Sequence, residues 1–491
     1  MSLTLYNTLT RQKERFTPLE AGQVKMYCCG VTVYDYCHLG HARSYIAWDT
    51  LRRYLEWCGY QVRYVQNFTD IDDKILNRAK QEGASMAVVS EKYIEAYFHD
   101  MDRLNIRKAD TYPRATETIA EIHQLITELE QRGIAYASQG DVYYSVACNC
   151  NYGRLSGRKL EDMLAGASGR VDAEDPEGQR KKAACDFALW KGAKPGEPFW
   201  QSPWGEGRPG WHIECSAMIR ATLGEQIDIH MGGADLIFPH HENEIAQSEA
   251  VTGKSLSQFW LHNGMVNVDG EKMSKSLGNF KTVRDLLDQV QVDPMVVRLF
   301  VLGAQYRKPI DFTEEALQAA TNGWHTLKEG LRFGNDYGTK LNWQDPSLTW
   351  THDRLNAQAV TSFEGAMNDD LNTAGALAVL FELAKELRRA RNLLVHTGAI
   401  DESADQLEQD WRSLVVLADV LGLRVAPPEV ERVETTIAGL SDAEIETLIQ
   451  ARLAAKQAKD FAEADRLRNE LQSQGITLID QPGGMTRWHR N

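Results

Sequence analysis

A strand–helix–strand pattern near the start of the chain constrains its fold most strongly. Val24–Cys29 is a short apolar segment that ends at Gly30, and Val62–Gln66 supplies a second one. Between them, Gly59 stands where a helix C-terminal cap is expected. Apolar residues three or four apart mark one face of the helix before it: Trp48, Leu51, Leu55 and Cys58. The pattern predicts an α/β fold, with a Rossmann-like parallel sheet whose ligands bind beyond the carboxyl ends of its strands.

The length of 491 residues exceeds one ordinary core, and the composition changes along the chain. We expect the Rossmann-like domain in residues 1–115 and 205–265. A Gly- and Pro-containing inserted domain, residues 116–204, interrupts it. Residues 266–316 form a connecting region with a lysine-rich loop, and residues 317–426 form a helical bundle. The bundle is predicted from three amphipathic stretches: Glu314–Arg332, Arg354–Ala366 and Thr373–Leu394.

The last domain, residues 427–491, is a small mixed module that follows a hinge at Pro427-Pro428. Its Ile445–Gln472 stretch places Lys456 and Asp460 at helix-neighbour spacing, which favours helix there. From Pro427 onward the chain holds 8 Lys and Arg against 11 Asp and Glu. If this module contacts a nucleic acid, the contacts should therefore be local and not spread over a broad positively charged surface.

Composition limits the compartment and the class of partner. No apolar run approaches the roughly 18 residues that a membrane span needs, and the start has no basic region followed by an apolar one. These features predict a cytoplasmic protein without a membrane partner. Eight cysteines in such a chain are better explained as reduced thiols or metal ligands than as disulfides. The net charge of −15 disfavours a broad nucleic-acid surface but does not exclude local patches.

His38-Leu39-Gly40-His41 lies between the first strand and a helix that we expect to begin near His41. A helix N-terminus offers unpaired N–H groups and the positive end of its dipole, so it suits phosphate. Two imidazoles can hydrogen-bond phosphate oxygens there, and Gly40 would let a base or ribose approach the backbone. Taken alone, two nearby histidines are more often surface or packing residues.

A second candidate phosphate element is the Lys272 loop, which we define as Asp269–Asn279. It contains Lys272-Met273-Ser274-Lys275-Ser276 with Gly270 before it and Gly278 after it. Two ammonium groups on a mobile loop could follow a departing pyrophosphate. The simpler alternative for such a loop is a solvated basic turn.

The two elements together, in this order on an α/β chain, resemble the two signature motifs of class I aminoacyl-tRNA synthetases. The resemblance implies that an amino-acid carboxylate attacks the α-phosphate of Mg²⁺-bound ATP. The adenylate would then pass to the terminal adenosine of a tRNA. The implied catalytic residues are His38, His41, Lys272 and Lys275. The implied ATP-binding residues also include Gly40, Met273, Ser274 and Ser276.

A cluster of possible metal ligands follows later in the chain. Pro239 suits the first turn of a predicted helix that ends at Gly253. His240 and Glu244 are four residues apart and would share a face of that helix. His241 and Glu244, three apart, would also be close, so spacing leaves the choice of histidine open.

Cysteines elsewhere could complete a tetrahedral zinc site with that helix. Cys215 is one candidate, and either Cys28 or Cys29 is the other. Because neighbouring residues on a strand face opposite sides, only one of these two can reach the metal. The alternative is that the cysteines pack in the core while the helix residues serve as caps.

Four segments together resemble the cysteinyl-tRNA synthetase family: Tyr27–Asp35, Asn67–Lys74, Gly210–Cys215 and Phe238–Glu244. By position, the resemblance implies one zinc ion per chain with four ligands: Cys29, Cys215, His240 and Glu244. It also implies that Gly30, Thr69 and Trp211 lie near the substrate, although ordinary strand-end and core roles are the alternative for Thr69 and Trp211. Zinc favours a thiolate over an alkoxide, so the metal would select L-cysteine against serine.

Cys148-x-Cys150 could suggest a second zinc site. Only two ligands are evident there, and a single intervening residue is tight for the usual pairing. We therefore expect exposed thiols.

The bundle and terminal module resemble the anticodon-binding half of the same family, and residues 266–316 resemble its stem-contact region. The implied partners are tRNA(Cys), ATP and L-cysteine, and the implied state is a monomer. Contacts to the anticodon are implied for Lys456, Phe461, Asp465 and Asp480. Lys456 stands where arginine is expected, so it could hold a phosphate but not bind it in a planar bidentate way. At its helix spacing Phe461 could equally belong to the core.

Two other functions are compatible with part of these motifs. Related ligases pass cysteine to a small amino-sugar acceptor, but they lack a terminal module like residues 427–491. A non-catalytic paralogue that only binds tRNA would be expected to lose His38, His41, Lys272 or Lys275, and all four are present.

Overall fold

The computed structural model describes residues 2–159, 180–273, 277–343, 354–425, 442–458, 460–474, 476–480 and 486–490. The chain forms two compact units, the first of residues 1–388 and 402–424 and the second of residues 389–401 and 425–491. The predicted hinge at Pro427-Pro428 and the loop residues Ser274, Lys275 and Ser276 lie outside the described residues. In the part of the chain that is described, no helix is long and apolar enough to cross a membrane.

The first unit is built on a four-stranded parallel sheet, whose strands lie in the order β10 (Ser257–Asn263), β9 (Ile227–Gly233), β3 (Gln23–Thr32) and β4 (Gln61–Thr69). The predicted α/β, Rossmann-like architecture is thus confirmed, with the carboxyl ends of these strands along one edge. The first part of the chain supplies β1 (Thr4–Asn7), β2 (Gln12–Arg15), β3 (Gln23–Thr32), α1 (Leu39–Trp57), β4 (Gln61–Thr69), α2 (Asp73–Glu82), α3 (Met86–Arg103) and α4 (Ile119–Gln131).

Helix α1 crosses between two strands, as its periodicity predicts. Trp48, Leu51 and Leu55 are fully buried in the core. Cys58 is exposed, which corrects its place on the predicted apolar face: the helix ends at Trp57, and Cys58 forms its cap. Gly59 follows with a φ of 88°, which glycine adopts without strain.

The inserted region forms an antiparallel sheet in the order β5-β6-β7-β8. Its core joins α4 to the sheet through Ile122, Leu125, Val142 and Trp190. Cys148 and Cys150 are free and exposed, as predicted. The strands are β5 (Ala135–Ser138), β6 (Asp141–Tyr144), β7 (Phe187–Gly192) and β8 (Gly207–Pro209).

The chain then returns to the parallel sheet and continues into helices. The returning elements are α5 (Trp211–Thr222), β9 (Ile227–Gly233), α6 (Glu242–Thr252), β10 (Ser257–Asn263), β11 (Val266–Val268), β12 (Glu271–Lys272), α7 (Pro294–Leu302) and β13 (Ile310–Phe312). The helical region contains α8 (Glu314–Tyr337), α9 (Ala357–Asn368), α10 (Thr373–Thr397) and α11 (Ala404–Val420). The helical region agrees with the three predicted stretches, and α11 adds a helix that is not among them.

The second unit contains a helix pair and a β-hairpin: α12 (Asp442–Gln457), α13 (Phe461–Ser473), β14 (Ile476–Asp480) and β15 (Thr486–Arg490). Its core is formed by Ile445, Ile449, Leu471 and Ile476. The predicted single helical stretch is wrong at one point, because Asp460 caps α13 by accepting a hydrogen bond from the backbone N–H of Glu463. Lys456 and Asp460 therefore do not form a pair within one helix.

A buried charge network fixes α1 within the first unit. Asp49 pairs with Arg298 of α7 and with Arg53 Nε at 2.8 Å, and all three side chains are buried. Arg298 also donates to the backbone oxygen of Leu421 at 2.7 Å, just beyond α11. The network thus connects the sheet domain to the helical region.

Arg298→Met is expected to destabilise the first unit by roughly 3 kcal/mol, because it strips a buried carboxylate of one cation and leaves buried carbonyls unpaired. Denaturant unfolding of the full-length Arg298→Met variant would measure this loss of stability, and Lys92→Met is the control. Lys92 pairs with Glu82 at the surface, so its loss should leave the midpoint unchanged. Equal shifts for both variants would contradict the role of the network.

Candidate active site

The His38 turn, which we define as His38–His41, closes the N-terminus of α1 by reciprocal hydrogen bonds. The His38 Nδ1 accepts from the backbone N–H of His41 at 3.3 Å, and His41 Nδ1 accepts from that of His38 at 3.3 Å. His38 is the N-cap, so α1 begins at Leu39, two residues earlier than predicted. Because both Nδ1 atoms accept, each neutral ring carries its proton on Nε2 and can donate from there.

Gly40 is required by the packing of this turn. The His38 and His41 rings stack with centroids 3.6 Å apart. A Cβ at Gly40 would lie 2.8 Å from His38 Cε1 and 3.7 Å from Met273 Cε. The expected approach of a base or ribose is therefore not the only reason for glycine, since any side chain would press on the His38 ring.

The Lys272 loop begins with a tight hairpin between β11 and β12. Asp269 and Gly270 have φ values of 52° and 81°, the pattern of a type I′ turn. Lys272 is exposed at the end of β12. On the far side of the loop, the Phe280 ring meets the His38 ring edge-on at 5.1 Å. Met273, within the loop, and Phe280, just after it, thus lie beside the His38 turn, whereas Ser274, Lys275 and Ser276 lie outside the described residues.

Four buried side chains converge at the edge of the sheet: Cys29, Cys215, His240 and Glu244. One ligand atom of each lies within 4.8 Å of the others, and we call this group the four-ligand cluster. Glu244 Oε1 is 3.4 Å from Cys29 Sγ and 3.2 Å from His240 Nε2, and the two sulfur atoms are 3.8 Å apart. Cys28 is not in this group; its thiol donates to the backbone oxygen of Cys29.

Local structure brings these ligands together from four elements. Cys29 lies on β3, Cys215 in α5 and Glu244 in the first turn of α6. The helix predicted to open at Pro239 begins later, at Glu242, because Phe238 has extended backbone angles and Ile237–His241 forms a separate wide turn. Gly253 ends α6 in the left-handed conformation, as predicted.

The four-ligand cluster fits zinc. Ligands 2.0–2.3 Å from a tetrahedral ion are separated by about 3.3–3.8 Å, which is close to the spacings found. Burial raises the pKa of Cys29 well above its usual value and lowers the pKa of His240 to about 3. The hydrogen bond with Cys29 lowers the pKa of Cys215, but burial and Glu244 leave it raised. Without a cation the thiols would stay protonated, so a metal ion must displace their protons when it binds.

Further histidines surround the cluster: His241, which the spacing left open as a ligand, and His230, which sequence reasoning did not single out. Cys29, His230, His241 and Glu244 also lie within 4.8 Å of one another and form an alternative set. Zinc favours the set that contains two thiols. His230 Nε2 instead lies 2.8 Å from Glu244 Oε2, the oxygen that faces away from His240. That contact orients the carboxylate, as residues around metal ligands commonly do.

The Nδ1 side of the His240 ring, opposite the nitrogen that faces Glu244, is also held by a neighbouring histidine. His212 Nδ1 lies 2.9 Å from His240 Nδ1, and burial lowers the pKa of His212 to about 3. The Trp211 ring stacks on the His240 ring with centroids 4.4 Å apart. Trp211 is 40% exposed, so the alternative of a core role is wrong for it.

Gly30 and Thr69 lie on the two strands next to the cluster. A Cβ at Gly30 would stand 1.6 Å from the backbone oxygen of Asn67, so only glycine fits. Thr69 Oγ1 donates to Glu214 Oε2 at 3.2 Å, and burial raises the pKa of Glu214 well above its usual value. Glu214 and Trp211 line a cavity of about 280 Å³ beside the cluster. Glu214, also missed by sequence reasoning, was detectable only as the neighbour of Cys215.

The residues implied for the anticodon lie in the second unit. Phe461 is the first residue of α13 and is 64% exposed, whereas Ala464, Leu467 and Leu471 are buried. The alternative of a core role for Phe461 is therefore wrong. Asp465 is exposed one turn later, and Lys456 lies in the last turn of α12. Asp480 ends β14, and its side chain lies outside the described residues.

Comparison with known proteins agrees with this geometry. Residues 15–322 match the model of the class I (C) tRNA synthetase catalytic domain, residues 362–426 match a DALR domain, and residues 439–487 match the cysteinyl-tRNA ligase anticodon-binding domain. The chain is 65% identical to the cysteine–tRNA ligase of Gloeothece citriformis and 64% identical to that of Trichodesmium erythraeum, with each alignment covering 100% of both chains.

Solved structures share the fold at low identity. Methionyl-tRNA synthetase of Mycobacterium tuberculosis in complex with methionyl-adenylate aligns with a TM-score of 0.56 and 17% identity, covering 81% of this chain and 89% of that one. A ternary LeuRS–tRNA–LeuAMS complex from Agrobacterium radiobacter K84 aligns with a TM-score of 0.59 and 12% identity, covering 95% of each chain. With its catalytic, DALR and anticodon-binding regions all matched, the chain belongs to the cysteine–tRNA ligase family of class I aminoacyl-tRNA synthetases.

Proposed function

We propose that the protein activates L-cysteine with ATP, forming cysteinyl-adenylate and pyrophosphate, and then transfers cysteine to the 3′-terminal adenosine of tRNA(Cys). The single observation that carries this proposal is the buried four-ligand cluster, whose Cys29 lies near the carboxyl end of β3. The same strand leads into the His38 turn, so a metal site suited to a thiol and a helix terminus suited to phosphate follow each other along the chain. The high identity to cysteine–tRNA ligases over the full length supports the same reaction.

Adenylate formation needs groups that hold ATP and stabilise the charge that grows as pyrophosphate departs. The Nε2 protons of His38 and His41 suit phosphate oxygens at the start of α1. Lys272 and Lys275 would accompany the leaving pyrophosphate together with the Mg²⁺ that ATP brings, and Met273, Ser274 and Ser276 complete the loop. No covalent enzyme intermediate is required, because positioning and charge stabilisation are sufficient.

Cys29, Cys215, His240 and Glu244 are proposed to hold one zinc ion. When bound, the zinc supplies a soft Lewis acid that favours a substrate thiolate over a hydroxyl group. Glu214 and Trp211 line the cavity beside the cluster, and Thr69 donates a hydrogen bond to Glu214. We assign all three to positioning the substrate. His230 and His212 hold Glu244 and His240 in their ligand orientations.

The two alternative functions are less well supported. A ligase that uses a small amino-sugar acceptor has no need for residues 439–487, which match an anticodon-binding domain. A non-catalytic paralogue has no need for His38, His41, Lys272 and Lys275. We also propose that the protein is a monomer, as the family resemblance implies, and that it acts in the cytoplasm.

The proposal is tested by cysteine-dependent exchange of pyrophosphate into ATP, followed by aminoacylation of tRNA(Cys). We expect both activities. Exchange without charging would favour the small-acceptor ligase, and absence of exchange would contradict both enzyme hypotheses.

Phe461→Ala should lower kcat/KM for tRNA charging by roughly 10- to 100-fold, because an exposed aromatic ring can stack on an anticodon base and such stacking contributes about 1–3 kcal/mol. Alanine preserves the helix, and pyrophosphate exchange should not change. Leu19→Ala, which removes another exposed apolar side chain, should leave charging unaffected. Unaltered charging by Phe461→Ala would exclude the assigned anticodon contact.

A further inference from the structure

We propose that Arg284 and Asp100 form a positioning pair that holds the outgoing flank of the Lys272 loop against the His38 turn. The outgoing flank is Lys281–Arg284, the segment that follows the loop. The inference rests on the proposed function, because it assigns these two residues to the ATP-dependent step of that reaction.

Backbone hydrogen bonds join this flank to the start of α1. The Leu39 N–H donates to the Lys281 oxygen at 3.0 Å, and the Val283 N–H donates to the Cys37 oxygen at 2.8 Å. Thr282 faces His38 between them in a bridge of antiparallel type. The residues that leave the Lys272 loop therefore run alongside the imidazoles that are proposed to bind ATP.

Side chains fix the end of the flank to α3. Arg284 Nε donates to Asp100 Oδ1 at 2.9 Å, and the Arg284 guanidinium lies 4.4 Å from the centre of the Tyr36 ring. The Asp100 side chain is fully buried, and its Oδ2 has no hydrogen-bond partner among the described residues. Asp100 therefore relies on Arg284 and on the exposed His99, whose Nδ1 is 3.4 Å from Oδ1. Burial raises the pKa of Asp100, and the Arg284 cation opposes this shift because it favours the ionised form.

The incoming side of the loop is attached to α1. Arg43 of α1 donates to the backbone oxygen of Met265 at 2.7 Å, directly before β11, and to that of Tyr306 at 3.0 Å. Arg43 is buried, so its loss would disturb the fold itself. The Arg284 side chain is 30% exposed, so its replacement can separate positioning from folding.

Loss of the Arg284–Asp100 contact should affect one step of the reaction and not the other. The incoming side is held by α1, whereas the outgoing flank is held by the start of α1 through its backbone and by α3 through the Arg284–Asp100 contact. We therefore expect this contact to set how firmly the outgoing flank lies against the His38 turn. A misplacement of about 1 Å can slow a reaction about 100-fold. In the proposed reaction the loop acts in the step that releases pyrophosphate, so transfer of cysteine to tRNA should be insensitive to the pair.

The test compares Arg284→Gln with the unaltered full-length protein. We expect kcat for pyrophosphate exchange to fall by roughly 30- to 100-fold, with KM for cysteine and zinc content unchanged. Single-turnover transfer from enzyme-bound adenylate to tRNA should keep its rate. Arg284→Lys retains the charge and should recover much of the exchange. Asp100→Asn should reproduce the loss, and the double variant should be no worse than either single one, because the two residues act as a unit.

Arg114→Gln is the matched control. Arg114 pairs with Glu91, also on α3, and its side chain is 28% exposed. It should leave exchange and transfer unchanged. The inference is overturned if Arg284→Gln slows both steps equally, if the control loses as much exchange, or if exchange by Arg284→Gln is normal. Absence of exchange by the unaltered protein would instead overturn the proposed function.

Discussion

Cys215→Ser is expected to abolish zinc binding and to lower kcat/KM for cysteine by about 10³ or more in pyrophosphate exchange, since a dedicated contact to one substrate group can supply discrimination of this size. The serine hydroxyl matches the thiol in shape but is a poor ligand for a soft metal. The buried Glu244 and His240 would then lose the cation that stabilises their arrangement. Metal analysis of the purified protein and exchange with cysteine measure the two effects.

Cys150→Ser is the control for this substitution. Its thiol is exposed and lies outside both possible ligand sets among the described residues. Zinc should remain at one ion per chain, with normal exchange. A full complement of zinc in Cys215→Ser would contradict the ligand assignment, and two ions per chain in the unaltered protein would show that Cys148 and Cys150 form a further site.

His38→Asn is expected to reduce kcat for pyrophosphate exchange by roughly 10²–10³, the size of the loss when one donor to a developing charge is removed. Asparagine is a good N-cap, so it can keep the hydrogen bond to the His41 N–H while removing the imidazole. The zinc content and the thermal midpoint should therefore stay close to those of the unaltered protein. Kinetics of exchange, together with metal analysis, separate this variant from Cys215→Ser.

His396→Asn, at an exposed histidine of α10, provides the comparison for a change that does not touch the site. It should have normal exchange. If His38→Asn retained full exchange, the His38 turn would not be the phosphate site. If it lost zinc as well, its effect would be structural rather than chemical.

The parallel sheet was predictable because its signal is local. Apolar spacing in Trp48, Leu51 and Leu55 determines which face of α1 is buried, and strand segments on both sides determine the crossover. The exact helix boundaries were harder to predict from the sequence. His38 caps α1 through a reciprocal pair of imidazoles, and histidine is not among the preferred capping residues. Asp460, a typical cap, interrupts a helix that charge spacing alone would continue.

The candidate site was only partly predictable because its contacts join distant parts of the chain. Spacing suggested a histidine and Glu244 on one helix, yet the choice between His240 and His241 depended on family resemblance. Glu244 meets His230, and His241 Nδ1 meets His262 Nε2 at 2.8 Å, only once β9 and β10 lie side by side. No local periodicity encodes such contacts. A search for polar residues near the carboxyl ends of consecutive parallel strands would have been the one useful signal.

Pyrophosphate exchange by the unaltered protein, with cysteine and with serine as competing substrates, tests most directly whether the metal site selects a thiol. We expect exchange to depend on cysteine, with kcat/KM at least roughly 10⁴ times that for serine, because a thiol-selective metal site binds the side chain directly. Comparable exchange with serine, or no exchange with cysteine, would contradict this expectation.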